Sequence, residues 1–377
     1  EEMSTPIFEF TEVFRRTLGE TSDIVTKEMY TFDDKSGDSL TLRPEVTAGI
    51  ARAFISGGLA QHLPLKVFCQ GPMFRYERPQ KGRQRQFHQI DVELLGVAEP
   101  LGDIEIISMG AHVLDALGLS DKVTLQLNTL GDSESRQAYR ATLVEYLNDF
   151  KGELSDDSRT RLDRNPLRIF DSKAEGDQRI LKGAPKLTDH LNEASKEFFG
   201  HVQAGLKAAG VAYEINPALV RGLDYYCHTA FEFVTETLGA QGAVLAGGRY
   251  DGLIEAMGGP PTPGTGWAAG VERLALMIAD PPAPGRAIAV VPVGGDAAEE
   301  ALIQAERLRR AGFAVDLGYS GNLKKRLARA NKANAAASVI IGEDELAKGA
   351  ATVRDMETGE QTEVPLSSLE DHLARYR

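Results

Sequence analysis

The sequence predicts a mixed α/β (α+β) protein of two or three domains, and three observations carry that prediction. Its 377 residues exceed the usual span of a single hydrophobic core. Strand-like and helix-like patterns alternate over much of the chain. The stretch Asp280-Pro281-Pro282-Ala283-Pro284-Gly285 reads as a linker, and regular strand–helix alternation resumes beyond it. At 42% hydrophobic, the chain has enough apolar side chains for full cores.

Four stretches differ in character. In residues 1–130, Leu65–Cys69 and Val92–Gly96 read as buried strands. Thr47–Gly57 reads as a helix after the turn signal Arg43-Pro44, and Ile104–Leu117 as a longer helix stopped by Gly118. Residues 131–210 are rich in charge and helix formers, with amphipathic helices over Ser133–Phe150 and Leu187–Ala208, so a helical insertion is expected. Residues 211–280 return to strands, Thr229–Thr235 pairing with Gly242–Ala246, then a Pro260–Gly264 loop and an apolar helix over Trp267–Ile278 carrying Glu272 and Arg273. Residues 284–377 form a small α/β domain. Its strands are Ala287–Val293, Phe313–Leu317 and Ser338–Ile341, and Leu323–Ala333 is a helix. An earlier helix, capped by Asp296 with Glu299 in a capping box, is expected to bury Ala298, Leu302, Ala305 and Leu308.

Composition narrows the function. The net charge of −13 argues against coating nucleic acid by bulk attraction, so such a partner needs local basic patches. Arg75–Arg85 and Lys324–Lys332 are two candidates, and each in isolation reads first as a solvated face. Cys69 and Cys227 belong to no C-x-x-C pair, which supports neither a disulfide framework nor zinc and fits a cytoplasmic protein. No run approaches eighteen apolar residues and no signal-peptide pattern opens the chain, so no membrane span is expected. Glu1 opens no recognisable first element, and upstream residues are expected. Neither G-x-x-x-x-G-K-[ST] nor G-x-G-x-x-G occurs, so a bound nucleotide would have its phosphates held by side chains.

Several strings carry residue types suited to that task. Gly71–Gln89 reads as strand, charged loop, strand, and contains Arg75, Glu77, Gln80, Arg83, Phe87 and Gln89. Arginine suits phosphate because its planar fork donates paired hydrogen bonds and stays charged. Phe87 offers a flat face to a base; an ordinary basic hairpin is the plain alternative. In Arg43-Pro44-Glu45-Val46-Thr47 a carboxylate and a hydroxyl lie two residues apart and could share an ammonium group, although Glu and Thr are also common at helix N-termini. Glu93, four residues after Gln89, sits on a predicted buried strand, where a carboxylate needs a partner. Arg221-Gly222-Leu223-Asp224-Tyr225-Tyr226 sets a cation beside two phenols. Gly247-Gly248-Arg249-Tyr250 reads as a glycine turn, and Arg273 as an arginine on an apolar helix.

As strings these segments resemble class II aminoacyl-tRNA synthetases, and specifically the histidyl-tRNA synthetase family. Phe74-Arg75-Tyr76-Glu77 with its basic loop resembles class II motif 2, and Gly266–Leu274 resembles motif 3. Leu219–Tyr226 and Ala246–Leu253 are similar to the two histidine signatures, and Asn165–Lys173 to a family string of the helical insertion. Thr5–Glu9 looks like the end of motif 1, which lies at the dimer interface in that family. The resemblance implies an antiparallel-sheet catalytic domain interrupted by a helical insertion, followed by an α/β anticodon-binding domain. It departs from the family at Val46 and Asp91, where glycine is usual.

The resemblance also implies roles. Arg75 and Arg221 would flank the ATP α-phosphate, with Arg83 and Arg273 on the outer phosphates. Glu77 would face the adenine amino group and Phe87 would stack on the base. Glu45, Thr47 and Gln89 would bind the α-amino group of histidine, and Glu93, Tyr225, Tyr226 and Tyr250 would form the imidazole pocket. Gln80, Lys324 and Lys325 are the candidate tRNA contacts. The implied partners are ATP with Mg²⁺, L-histidine, tRNA(His) and a second copy of the chain, with no zinc. A synthetase-like regulatory subunit that senses histidine without charging RNA is the alternative. Such proteins typically lose the key arginine and the anticodon domain, and this chain keeps Arg221, Arg75, Arg273 and a domain after residue 284.

Overall fold

The computed structural model describes residues 1–19, 24–220, 225–239, 242–279 and 285–376. The chain divides into two units, Glu1–Ala279 and Asp280–Arg377.

The first unit begins with β1 (Phe8–Phe10), α1 (Thr11–Leu18), β2 (Tyr30–Asp33) and β3 (Ser39–Leu42), whose strands pair antiparallel in the order β1-β3-β2. Next come α2 (Thr47–Ser56), β4 (Leu65–Phe74), β5 (Gln86–Leu95), α3 (Pro100–Ala116) and β6 (Thr124–Thr129). Four helices follow: α4 (Ser133–Asp149), α5 (Asp156–Arg164), α6 (Glu175–Leu181) and α7 (Glu193–Ala208). The unit ends with β7 (Glu214–Ile215), β8 (Cys227–Val234), β9 (Ala243–Arg249), α8 (Leu253–Ala256), β10 (Gly264–Gly270) and α9 (Val271–Met277). Among the described residues the large sheet runs β4-β5-β10-β9-β8-β6-β7, antiparallel except where β6 meets β7.

The sheet's main core lies against α3. Ile106, Ile107 and Leu114 pack with Leu94, Phe231, Leu245 and Trp267, and the Trp267 indole N–H donates to the Ile106 carbonyl at 3.0 Å. Gly118 follows α3 in the left-handed region at φ +68°, a backbone state that glycine adopts at little cost, so the helix stops where the sequence places its end.

Two sequence expectations change here. Gly264–Gly270 is a central strand, so Trp267–Gly270 belong to it rather than to the start of the expected helix, and α9 begins only at Val271. Gly264, Gly266 and Gly270 supply the reason: at Gly266 a Cβ would collide with the Glu93 carboxylate and the Val92 carbonyl on the neighbouring strand. The single helix expected over Leu187–Ala208 is split into a 3₁₀ turn, Leu187–His190, and α7. Asn192 sets the restart, its side chain accepting from the Ser195 N–H at 2.9 Å.

Helices α4–α6 gather round a cluster of their own that includes Tyr139, Leu143, Leu147, Leu154, Leu162 and Ile180, whereas Val202 and Leu206 of α7 join the main core. Asp177 ties that helical region together. It accepts from the Ser155 N–H at 2.9 Å and from the hydroxyls of Ser155, Ser158 and Ser172 at 2.7, 2.6 and 2.5 Å. Burial alone would raise its pKa, but hydrogen bonds from Ser158, Ser172 and Ser155 outweigh burial and bring it down to about 2.

The second unit comprises β11 (Ile288–Pro292), α10 (Ala297–Arg310), β12 (Val315–Leu317), α11 (Leu323–Lys332), β13 (Ala337–Ile341), α12 (Glu343–Lys348), β14 (Ala350–Asp355), β15 (Gln361–Pro365) and α13 (Leu369–Leu373). Its sheet runs β12-β11-β13-β14-β15, parallel through β13 and antiparallel beyond. Helix α10 buries Ala297, Ala301, Ala305 and Leu308, while Ala298 faces solvent and Leu302 is 50% exposed. Ala305 and Leu308 are buried as expected, whereas Ala297 and Ala301 take the inward places expected for Ala298 and Leu302. Asp296 makes no side-chain cap there. Among the described residues no helix is long and apolar enough to cross a membrane.

Candidate active site

Strands β4 and β5 form a hairpin whose loop, together with β8–β10 and the starts of α2 and α9, borders one cleft. Glu45, Thr47, Arg75, Glu77, Arg83, Phe87, Gln89, Glu93, Tyr225, Tyr226, Tyr250 and Arg273 all line it. Residues separated by up to 228 positions therefore meet at one place. Arg221 lies outside the described residues. Gln80 sits exposed in the hairpin loop, bridged to Arg83 through backbone hydrogen bonds of 3.0 and 2.9 Å, and is not among the cleft-lining residues. Lys324 and Lys325 are exposed on α11 in the other unit.

One end of the cleft is cationic. Arg75 donates through Nε to the Pro44 carbonyl at 2.9 Å, and its guanidinium lies over Phe87, 5.3 Å from the ring centroid. Arg83 pairs with Glu77 at 2.5 Å. Arg273 reaches across from α9, donating to the Gly82 carbonyl at 2.9 Å and the Ala243 carbonyl at 2.7 Å. Burial, and then the positive charges of Arg83 and Arg75, depress the Arg273 pKa below its ordinary value. The three guanidinium groups thus feel one another, an arrangement that a polyanion relieves. Beside them Glu272 accepts from the His88 N–H at 2.9 and 3.0 Å and meets the His88 ring Nδ1 at 2.8 Å, fixing α9 to β5.

The other end is acidic and phenolic. Glu93, 2% exposed, accepts from the Thr47 hydroxyl at 2.6 Å through Oε1 and from the Tyr250 hydroxyl through Oε2. Burial raises its pKa to about 8, with Glu45 adding to the rise and the hydrogen bonds from Thr47 and Tyr250 opposing it. Glu45 sits at the N-terminus of α2, taking the Thr47 N–H at 2.8 Å on one oxygen and the Ala48 N–H at 2.9 Å on the other. The Tyr225 ring lies 4.6 Å from Tyr226 and 5.8 Å from Tyr250, which makes an aromatic wall beside these carboxylates. Burial pushes the Tyr225 and Tyr250 hydroxyls well above their ordinary range, so both remain protonated donors.

Residues 1–274 match the family model described as Histidyl-tRNA synthetase, and residues 287–376 match the one described as Anticodon binding domain. The chain belongs to the histidyl-tRNA synthetase family. The histidine–tRNA ligase of Rhodospirillum rubrum is 62% identical over 376 residues, spanning 100% of this chain and 91% of that protein. The histidine–tRNA ligase of Gluconacetobacter diazotrophicus is 55% identical over 374 residues, spanning 99% and 90% respectively. The crystal structure of apo S. aureus histidyl-tRNA synthetase superposes with a TM-score of 0.81 at 35% identity, covering 99% of this chain and 90% of that one. The class II synthetase architecture expected from the sequence is the one observed.

Within this synthetase fold, several residues that shape the cleft escaped the sequence reading. Arg249, 0% exposed, is held by Asp103 at 2.9 Å through Nε, by Asp251 at 2.9 Å and by the Val97 carbonyl at 2.9 Å, and it positions β9 on the N-terminus of α3. Its sequence signal was the charge itself, set among glycines at a strand end, where burial demands a partner. Arg43, also buried, donates to the Pro72 carbonyl at 2.9 Å and the Thr5 carbonyl at 3.0 Å, pinning the start of the chain to β4. Glu232 lines the cleft as well. Among the described residues no group of three or more His, Cys, Asp or Glu could hold a metal ion, and Cys69 and Cys227 are free and buried.

Proposed function

We propose that this chain is a histidine–tRNA ligase, which activates L-histidine with ATP and transfers it to the 3′ end of tRNA(His). One observation carries this reading beyond family membership: three guanidinium groups and an aromatic face occupy one end of a cleft whose other end holds a buried carboxylate bracketed by phenols. ATP lies at the cationic end, with its adenine against Phe87 and its phosphates among Arg75, Arg83 and Arg273. Glu77 accepts from the adenine amino group. Arg221 completes the grip on the α-phosphate. Mg²⁺ enters as the counter-ion of ATP.

Histidine lies at the acidic end with its imidazole toward Glu93, Tyr225, Tyr226 and Tyr250. An acceptor held by two donors and aimed at a ring N–H rejects isosteres that leave it unpaired. Thr47 and Tyr250 fix Glu93 in place, so they act on specificity through that carboxylate as well as by contact. Glu45, Thr47 and Gln89 surround the α-amino group.

The histidine carboxylate oxygen attacks the α-phosphorus in line. A new oxygen–phosphorus bond forms, the bond to pyrophosphate breaks, and histidyl-adenylate remains. The arginines contribute positioning and neutralise charge that develops on the phosphoryl oxygens. A hydroxyl of the terminal ribose of the RNA then attacks the activated carbonyl, and AMP leaves. The regulatory alternative needs neither the arginines nor an anticodon-binding domain, and this chain has both. We further propose a homodimer, because Ile7, Phe8, Phe10 and Phe32 are exposed around the three-stranded sheet; sedimentation as a monomer would remove that proposal.

The test is ATP–pyrophosphate exchange across a panel of amino acids. Histidine is expected to drive it and the others to fall to background. Exchange driven by another amino acid, or by none, defeats the reading.

A further inference from the structure

The cleft contains acceptors that its own side chains leave unfilled. Gln89, Asp91 and Glu93 are alternate residues of β5, so all three point to one face of the sheet, and all three line the cleft. Both Glu93 oxygens receive hydroxyl donors, and both Glu45 oxygens receive backbone N–H groups. Asp91 is different. It is 1% exposed, and its Oδ2 has no hydrogen-bond partner among the described residues; neither has the Gln89 Oε1 beside it. A buried acceptor without a donor costs about 1–3 kcal/mol, more for a carboxylate, unless a ligand supplies the donor.

We propose that Asp91 is a substrate contact that, with Gln89, accepts hydrogen bonds from the α-ammonium group of the amino acid. This rests on the amino-acid site assigned above and adds to it a residue to which that site gave no role. The spacing fits: two residues along a strand span about 6.6 Å, roughly the reach from an α-ammonium to the far ring nitrogen of histidine. With the imidazole on Glu93, the ammonium arrives at Asp91. The local charge fits as well. Burial, then Glu93 and Glu45, hold the Asp91 carboxyl well above the usual carboxylate range despite the opposing charges of Arg43 and Arg75, and a cation at Oδ2 offsets the repulsions that remain.

Calorimetric binding of two ligands tests the assignment: histidine, and 3-(imidazol-4-yl)propanoate, which lacks the amine. Asp91→Asn keeps the shape and loses the charge. It is expected to weaken histidine by about tenfold or more while leaving the deamino ligand within about twofold of wild type. Asp91→Ser, which removes the carboxylate and part of the volume, is expected to give the same pattern, because the carboxylate and not packing is at issue. Equal losses for the two ligands, or no loss for either, overturn the proposal. Failure of the wild-type protein to bind histidine would instead overturn the amino-acid site itself, and Asp91 with it.

Discussion

Glu93 links recognition to stability. Its pKa rises from 4.5 to about 8 on folding, chiefly through burial, so between those values the native chain holds a proton that the unfolded chain has lost. The stabilisation is complete below pH 4.5 and is lost as pH rises through about 8. Melting temperature is therefore expected to decline between pH 5 and pH 8.5 more steeply in wild type than in Glu93→Gln; parallel slopes would contradict the burial account. At the other end of the cleft, Arg273→Ala removes a cation from the proposed site of the outer phosphates. The KM for ATP should rise by about tenfold or more with the histidine Kd unchanged, and a parallel rise in both would show that the arginine holds the fold instead. That Arg75, Phe87, Glu93 and Tyr226 gather at one cleft was legible because they stand in recognisable strings. The partners that orient them were not. Thr47 meets Glu93 from 46 residues away and Arg249 meets Asp103 from 146 residues away, and no local pattern records either pairing.

Elements were legible where a single periodicity ruled. Thr47–Ser56 and Ser133–Asp149 lie within a residue of their expected ends. Trp267–Gly270 is strand and not the expected helix because the short apolar run Trp267-Ala268-Ala269 fits a buried strand as well as a helix, and only the flanking glycines distinguish the two. The helical region between β6 and β7 depends on Asp177. Asp177→Ala leaves the hydroxyls of Ser158 and Ser172 without their acceptor, at a cost of about 1–3 kcal/mol. Hydrogen exchange should accelerate in α5 and α6 while the large sheet keeps its protection. Uniform protection across the chain would show that the serine–aspartate cluster is dispensable.

At the scale of the whole molecule, each of the two units has its own core, and the proposed RNA contacts other than the reacting 3′ end lie outside the cleft. Lys324 and Lys325 are exposed at the start of α11, and Gln80 is exposed in the hairpin loop. Replacing both lysines by glutamate is expected to weaken tRNA(His) binding and to lower its salt dependence, with histidine-dependent pyrophosphate exchange unchanged. Unaltered tRNA affinity would move the contact elsewhere. The unit boundary was legible from the proline-rich stretch at 280–285, whereas the exposed apolar face of the three-stranded sheet became visible only once β1, β2 and β3 had been brought together.

A crystal structure of the chain with histidinol and a non-hydrolysable ATP analogue would show whether nucleotide and imidazole share the cleft. Adenine is expected against Phe87, phosphates among Arg75, Arg83 and Arg273, and a ring nitrogen within hydrogen-bond distance of Glu93 in the same cleft. A nucleotide bound elsewhere, or an imidazole turned away from Glu93, would contradict that placement.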